Sequence, residues 1–265
     1  MARILTSLHG KLLGLDDQAR LIAPKGLVSG SHGSQFAHHS PSTVEMFDDF
    51  VGDTLSTDYW LATEGTDSAT SDAAILAGGV GGVLRLTTGD AGTGLAADTE
   101  QLTGPLQWKA SNGGLVFQAR LKLSAITTCW AYLGFTDVAT GLEAPIISAG
   151  SADTITTTAT DAVGFMFDTR MTTAKWWLVG VANDVDATAQ NSGFAPVADT
   201  YATFRIALSS TGVATFYYNG NQVGTAMSGA VTASTTLCPI IAVSKTSVAA
   251  SMTMDVDYVQ ISMAR

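Results

Sequence analysis

Apolar and polar residues alternate with a period of two along much of this chain. In GLVFQARLKLSAI, Leu115, Phe117, Ala119, Leu121 and Leu123 fall on one face and Gln118, Arg120 and Lys122 on the other, the pattern of a strand with one face buried. A helix would scatter that set around its circumference. VLRLTT, CWAYLGF, VGFMFDT, KWWLVGVA, ATFRIALSS, VATFYYNG, LCPIIAVS and MTMDVDYVQISM are similar runs, each bounded by Gly, Asn, Asp, Ser or Pro. No convincing amphipathic helix follows any of them, and a parallel strand pair needs a long crossover, so the strands are expected to pair mainly antiparallel. The expectation is an all-β fold, sheet packed on sheet, with no fixed repeat of the kind that marks a propeller or solenoid.

Turn residues support the same picture. YATFRIALSSTGVATFYYNGNQVGT reads as strand, Ser-Thr-Gly turn, strand, Asn-Gly turn, strand; Asn219 and Gly220 both tolerate the positive φ that a type I′ turn demands. The Gly-rich pieces AGGVGGVLRL and TGDAGTGLAAD suggest phosphate loops at first sight. AGGVGG precedes a strand, however, and no Gly-Lys-Ser/Thr follows, so a β-turn is the expectation.

Charge and histidine divide the chain near residue 46. Residues 1–46 hold Arg3, Lys11, Arg20 and Lys25 against Asp16, Asp17 and Glu45, a net of +1 within a chain whose total is −10. All four histidines, His9, His32, His38 and His39, lie there too. An N-terminal arm of residues 1–46 and a body of 47–265 are therefore expected. In the arm, LLGLDDQARLIAP reads as a small hairpin around Asp16-Asp17-Gln18, and GLVSGSHGSQFAHHSPS as a strap with little to bury by itself. At 265 residues the whole chain suits one main domain.

The acidic balance excludes nucleic acid as an expected partner, since a phosphate backbone requires clustered Lys and Arg. No apolar window is long enough to span a bilayer and no export signal is evident, so no membrane role is expected and synthesis is assigned to a cytoplasm. Cys129 and Cys238 each sit in an apolar run and read as buried free thiols, with a cross-strand disulfide the lesser alternative.

Candidate chemistry is sparse. His32, His38 and His39 read as a polar strap rather than a metal site. Asn183, Asp184 and Asp186 in NDVDATAQNSG offer oxygens, but not a complete calcium pattern, and read as a polar loop. No cofactor and no catalytic set are expected. Glu45, Glu64, Glu100 and Glu143 look isolated, none on a strand beside a second carboxylate. Asp255 and Asp257 read as a solvated outer face or a charged edge. Trp176 and Trp177 point to opposite faces of one strand, so one is expected in the core and the other free to meet a glycan or a second subunit.

Two resemblances add to this reading. The phrase carried by Phe204, Arg205, Ile206, Gly212, Phe216, Tyr218, Asn219 and Gly220, with MFDDFVGDTLSTDYW and MTMDVDYVQISM at the ends of the body, resembles the concanavalin A-like jelly-roll sandwiches. That resemblance implies a final strand around Asp257-Tyr258-Val259 lying beside the first strand of the body. It also implies that a glycosidase of this kind would carry a Glu-x-Asp-x-Glu strand, which this sequence lacks. The arm residues Ser7, Leu8, His9, Gly10, Lys11, Leu13, Gly14, Leu15, Asp16, Arg20, Leu21 and Ile22 form a phrase similar to openings of tailed-bacteriophage virion proteins.

Together these lead to the expectation of a non-enzymatic capsid decoration, or cement, protein on the virion exterior. Its partner would be the major capsid protein, with a homo-oligomer, a trimer by preference, and with Leu8, Leu12, Leu13, Leu15, Leu21 and Ile22 as the anchoring residues. The alternative is a lectin-like carbohydrate-binding module or virion adhesin, using Trp176 or Trp177 against a surface glycan.

Overall fold

The computed structural model describes residues 4–6, 12–15, 21–22, 42–67, 71–79, 81–90, 95–142, 144–149, 153–247 and 250–265. The chain divides into two compact units, Met1–Ser40 and Pro41–Arg265. In the first, β1 (Ile4–Thr6), β2 (Leu12–Leu15) and β3 (Leu21–Ile22) form an antiparallel sheet, with Leu5 opposite Leu13 and Leu15 opposite Leu21. The two strands expected around Asp16-Asp17-Gln18 are β2 and β3, and β1 adds a third. Leu8 and the four histidines lie outside the described residues.

The second unit begins with β4 (Thr43–Asp48), β5 (Leu61–Glu64), β6 (Asp72–Ile75) and β7 (Leu84–Thr87). A one-turn helix α1 (Leu95–Asp98) leads to β8 (Glu100–Thr103), β9 (Trp108–Lys109), β10 (Leu115–Leu123) and β11 (Cys129–Thr136). Next come β12 (Ile146–Ser148), β13 (Ile155–Thr157), β14 (Ala162–Asp168), β15 (Trp176–Ala182), β16 (Val185–Asp186) and β17 (Gln190–Asn191). The last are β18 (Ala202–Leu208), β19 (Ala214–Tyr218), β20 (Asn221–Met227), β21 (Thr236–Lys245) and β22 (Thr253–Ala264). No helix among the described residues is long and apolar enough to cross a membrane.

These strands make an all-β, antiparallel jelly-roll sandwich. One sheet runs β20-β19-β18-β10-β22-β7-β6, with β4 also on β22; the other runs β16-β15-β14-β11-β21-β8-β5, with β17 on β15 and β9 on β21. β22 takes β10 along one side and shares its other side between β7 and β4. The final strand thus lies beside the first strand of the body, as the resemblance implied. The charge step at residue 46 falls inside β4, whereas the two compact units divide between Ser40 and Pro41. Charge marks surface composition, whereas the ladder from Thr43–Ala264 to Asp48–Val259 decides which residues belong to the sheet.

β10 shows the predicted alternation, buried at every second residue. Its apolar face meets the other sheet in a core that holds Phe117, Leu121, Phe135, Phe165, Trp176, Phe204, Ile206 and Phe216. Phe165 packs edge-on against Phe204 at 5.2 Å and Phe216 at 5.3 Å. Burying each such ring contributes roughly 1.5–3 kcal/mol against the ordering of the chain. The Asn-Gly turn forms as expected: Asn219 (φ 48°) and Gly220 (φ 81°) join β19 to β20, with Tyr218 opposite Asn221. Gly78 and Gly82 likewise adopt positive φ in the turn between β6 and β7.

The sheet of β11, β14 and β21 departs from simple alternation. Every residue of β11 and β14 is buried. One face contributes to the core between the sheets, and the other forms a second apolar cluster of Trp130, Tyr132, Met166, Trp177, Ile240 and Ala242. The connection from β11 to β14, which carries β12 and β13, covers that second cluster. Trp130 Nε1 donates to Ile146 O at 3.1 Å, and Gln101 Nε2 to Gly141 O at 3.1 Å.

Candidate functional site

This cover over the second sheet decides the fate of the two tryptophans. Trp176 is 1% exposed, with its ring 4.7 Å from that of Phe204. Trp177 is 5% exposed, and its Nε1 donates to Thr173 O at 3.2 Å. They do point to opposite faces, but both faces are buried, so neither ring is free for a glycan or a subunit.

The most exposed rings among the described residues lie elsewhere. Phe47 and Tyr59 are each 56% exposed, and both line an open groove of about 570 Å³ with Glu45, Asp48, Ser56, Asp58 and Gln107. β4 supplies one wall. Its alternation turns Met46 into the core and Phe47 outward, where the Phe47 ring lies 6.1 Å from that of Tyr258. The opposite wall is the stretch from Ser56 to Tyr59 together with Pro105 and Gln107.

Asp48 holds the two walls together. Its Oδ1 accepts from Phe50 N and its Oδ2 from Trp60 Nε1, each at 2.8 Å. The first bond closes an Asx-type turn and keeps Phe50 at φ 52°. The second fixes the buried Trp60 and so places its neighbour Tyr59. Glu45 Oε1 accepts from Gln260 Nε2 at 2.7 Å. A second lobe of about 410 Å³ continues past Tyr59 along Leu55, Leu61, Ala62 and Thr103, sharing Asp58, Tyr59 and Pro105 with the first. The groove therefore offers ring faces and apolar side chains beside carboxylate, amide and hydroxyl groups. Its charged lining residues are all acidic.

No single stretch of the sequence marks this groove. MFDDFVGDTLSTDYW contains Phe47 and Tyr59, and period-two alternation from Met46 would have placed Phe47 on the outer face. Nothing local in the sequence brings Pro105 and Gln107 beside them.

Several carboxylates also sit differently from expectation. Glu64 and Glu100 are direct cross-strand partners on β5 and β8, so the glutamates are not all isolated. Glu100 is fully buried and its carboxyl pKa is pushed up to about 8, by burial first and then by Glu64 and Asp72; it lines neither lobe of the groove. Asp255 is buried rather than solvated, because β22 is an inner strand. It accepts two bonds from Arg85, at 2.7 and 2.9 Å, and pairs with Lys122 at 3.3 Å. Asp257 pairs with Arg120 at 2.7 Å.

Asn183 (φ 51°) and Asp184 (φ 61°) form the tight turn between β15 and β16, while Asp186 accepts from Thr157. Among the described residues no group of three or more His, Cys, Asp or Glu side chains could hold a metal ion. Cys129 and Cys238 are buried free thiols at opposite ends of the β11–β21 ladder.

No protein-family model and no curated protein matches the chain. Solved structures do. A Bacillus licheniformis β-glucanase is similar at 14% identity and a TM-score of 0.56, over 82% of this chain and 97% of that one. A β-1,3-1,4-glucanase (lichenase) from a mouse hindgut metagenome gives 12% identity and 0.54, over 82% and 98%. The carbohydrate recognition domain of Emp47p gives 9% and 0.55, over 84% and 98%. The fold is thus the concanavalin A-like jelly roll of these proteins.

These structures correct the expectation of a non-enzyme. The fold is one that glucanases use, so the architecture supplies no ground for excluding catalysis. They lend no support to the capsid-directed reading, which rests on the sequence of the arm alone.

Proposed function

We propose that the body is a carbohydrate-binding sandwich and that the groove between β4 and residues 55–62 holds a neutral glycan. The observation that carries this reading is the pair of exposed rings, Phe47 and Tyr59, lining one groove with carboxylate, hydroxyl and amide groups. An exposed ring offers apolar surface to the C–H face of a sugar, while carboxylates accept hydroxyl hydrogens and Gln107 both donates and accepts. The acidic lining disfavours uronate, sulfate and sialate groups by like-charge repulsion. Similarity in fold to two glucanases and a carbohydrate recognition domain supports the same class of ligand.

The test is a glycan array followed by titration with a soluble mixed-linkage β-1,3-1,4-glucan. Tyr59→Ala and Phe47→Ala should each weaken binding at least tenfold, which is about 1.4 kcal/mol, without lowering thermal stability. Equal binding by both variants and the parent chain would remove the groove from consideration. An assay for reducing ends on the same glucan decides whether binding is accompanied by cleavage.

A further inference from the structure

Glu100 opens β8 on the face that Leu102 shares, and Leu102 packs between the sheets. The side chain is fully buried, and among the described residues neither Oε1 nor Oε2 has a hydrogen-bond partner. Glu64 stands directly opposite on β5, the edge strand of that sheet. Asp72, on the edge strand β6 of the other sheet, adds a second repelling carboxylate. β7 turns Leu84 and Leu86 into the core, while its Arg85 is engaged by Asp255. On β21 the residue paired with Glu100 is Val243, and Lys245 beyond it lies 3.7 Å from Asp98. A charged carboxylate in this position would be desolvated and would face two others; a protonated one escapes the repulsion and pays only the smaller desolvation cost of a neutral carboxyl.

The same two strands build part of the groove. Leu61 and Ala62 of β5 and Thr103 of β8 line its second lobe, and Leu61 pairs with Thr103 in the ladder that pairs Glu64 with Glu100. We infer that the proton on Glu100 holds β5 against β8, and that losing it loosens β5 and weakens the groove, which makes the site pH-gated. The gating of a glycan rests on the function proposed above; the release of β5 does not.

The direction follows from linkage. With β5 open to solvent, Glu100 would titrate near its ordinary 4.5, whereas in the closed sandwich it holds its proton up to about 8. Between those values the closed form binds more protons, so its advantage over the open form falls as pH rises and levels off above about 8. One proton gives at most about a tenfold change per pH unit.

Hydrogen exchange of the Leu61–Glu64 amides in the full chain, expressed as protection factors between about pH 5 and about pH 8.5, tests this directly. Parent protection should fall by up to about tenfold for each pH unit until about pH 8 and then level off. Glu100→Gln, locked neutral, should show a flat profile. Glu64→Gln changes an exposed side chain and should move the end of the fall to lower pH by removing one repelling charge. Parent protection that ignores pH, or a Glu100→Gln profile as steep as the parent's, overturns the inference. Titration of mixed-linkage glucan over the same range separates the two readings. Binding that weakens as β5 loosens supports the gate, and binding unchanged while β5 loosens overturns it. Loosening of β5 with no glucan bound at any pH leaves the proton-controlled strand standing and sinks the glycan reading.

Discussion

Trp60 Nε1 donates to Asp48 Oδ2 at 2.8 Å, and through this bond the last residue of β4 fixes the far wall of the groove. The same carboxylate holds Phe50 N through its other oxygen. Everything between these partners, Tyr59 included, is closed into a loop by one side chain.

Asp48→Ala should therefore act on structure and site together. It leaves the indole N–H of the buried Trp60 without its acceptor, at a cost of about 1–3 kcal/mol in denaturant unfolding. Glucan affinity should fall with it, because Tyr59 loses its placement. Asp48→Asn keeps one acceptor oxygen for two N–H donors, Phe50 N and Trp60 Nε1, and should recover only part of the stability. An Asp48→Ala variant as stable as the parent would show that the loop holds itself.

Trp177→Ala and Tyr59→Ala should give opposite results. Trp177 is buried in the second apolar cluster, so its truncation should cost about 3–5 kcal/mol and lower the melting temperature. Its effect on glucan binding, measured on folded protein well below that temperature, should be small. Tyr59→Ala should melt near the parent and bind poorly. Preserved stability in Trp177→Ala would mean that the connection over it packs less closely than its burial indicates.

Acid should reveal the ion pairs on β22. Burial works against a charge on Asp255, yet bonds from Arg85 and Lys122 prevail and hold its carboxyl below the ordinary 3.8. A depressed carboxyl gives stability that is present above its unfolded value and lost as pH falls through the folded one. Asp255→Asn should cost about 1 kcal/mol near pH 7, a modest figure because the Arg85 side chain is 37% exposed and screened by water. The variant should also lose less stability than the parent below about pH 4. Urea unfolding at both pH values checks the two statements, and equal acid sensitivity would contradict them.

Two truncations locate the boundary of the body. Removing Met1–Ser40 should leave a sandwich with unchanged β-type circular dichroism, since that unit carries its own sheet. Removing residues 1–48 also deletes β4, which pairs with β22 from Thr43–Ala264 to Asp48–Val259 and buries Met46. The shorter chain should unfold at distinctly lower denaturant. Equal stability in the two would restore the division at residue 46.

The strands were legible because their signal is local. Alternation from Leu115 to Leu123 and the Asn219-Gly220 turn depend on neighbours in sequence. Burial on the far side of a sheet does not. KWWLVGVA says that Trp176 and Trp177 diverge, but only the covering connection around Ile146 makes the second face an interior. Likewise, Glu64 and Glu100 look solitary along the chain and become neighbours through strand register alone. The groove is harder still to read, since it joins Phe47, Tyr59 and Gln107 from three separate segments.

The placement of β22 has a consequence for how the protein reaches its fold. β4, β7 and β10 all hydrogen-bond to this one strand, and the bond from Gln260 to Glu45 spans 215 positions. Until β22 docks, three strands present open edges able to recruit other chains. Contacts of such sequence separation form late and slowly. Refolding from denaturant should therefore become a race between closure and aggregation, won at low protein concentration and lost at high.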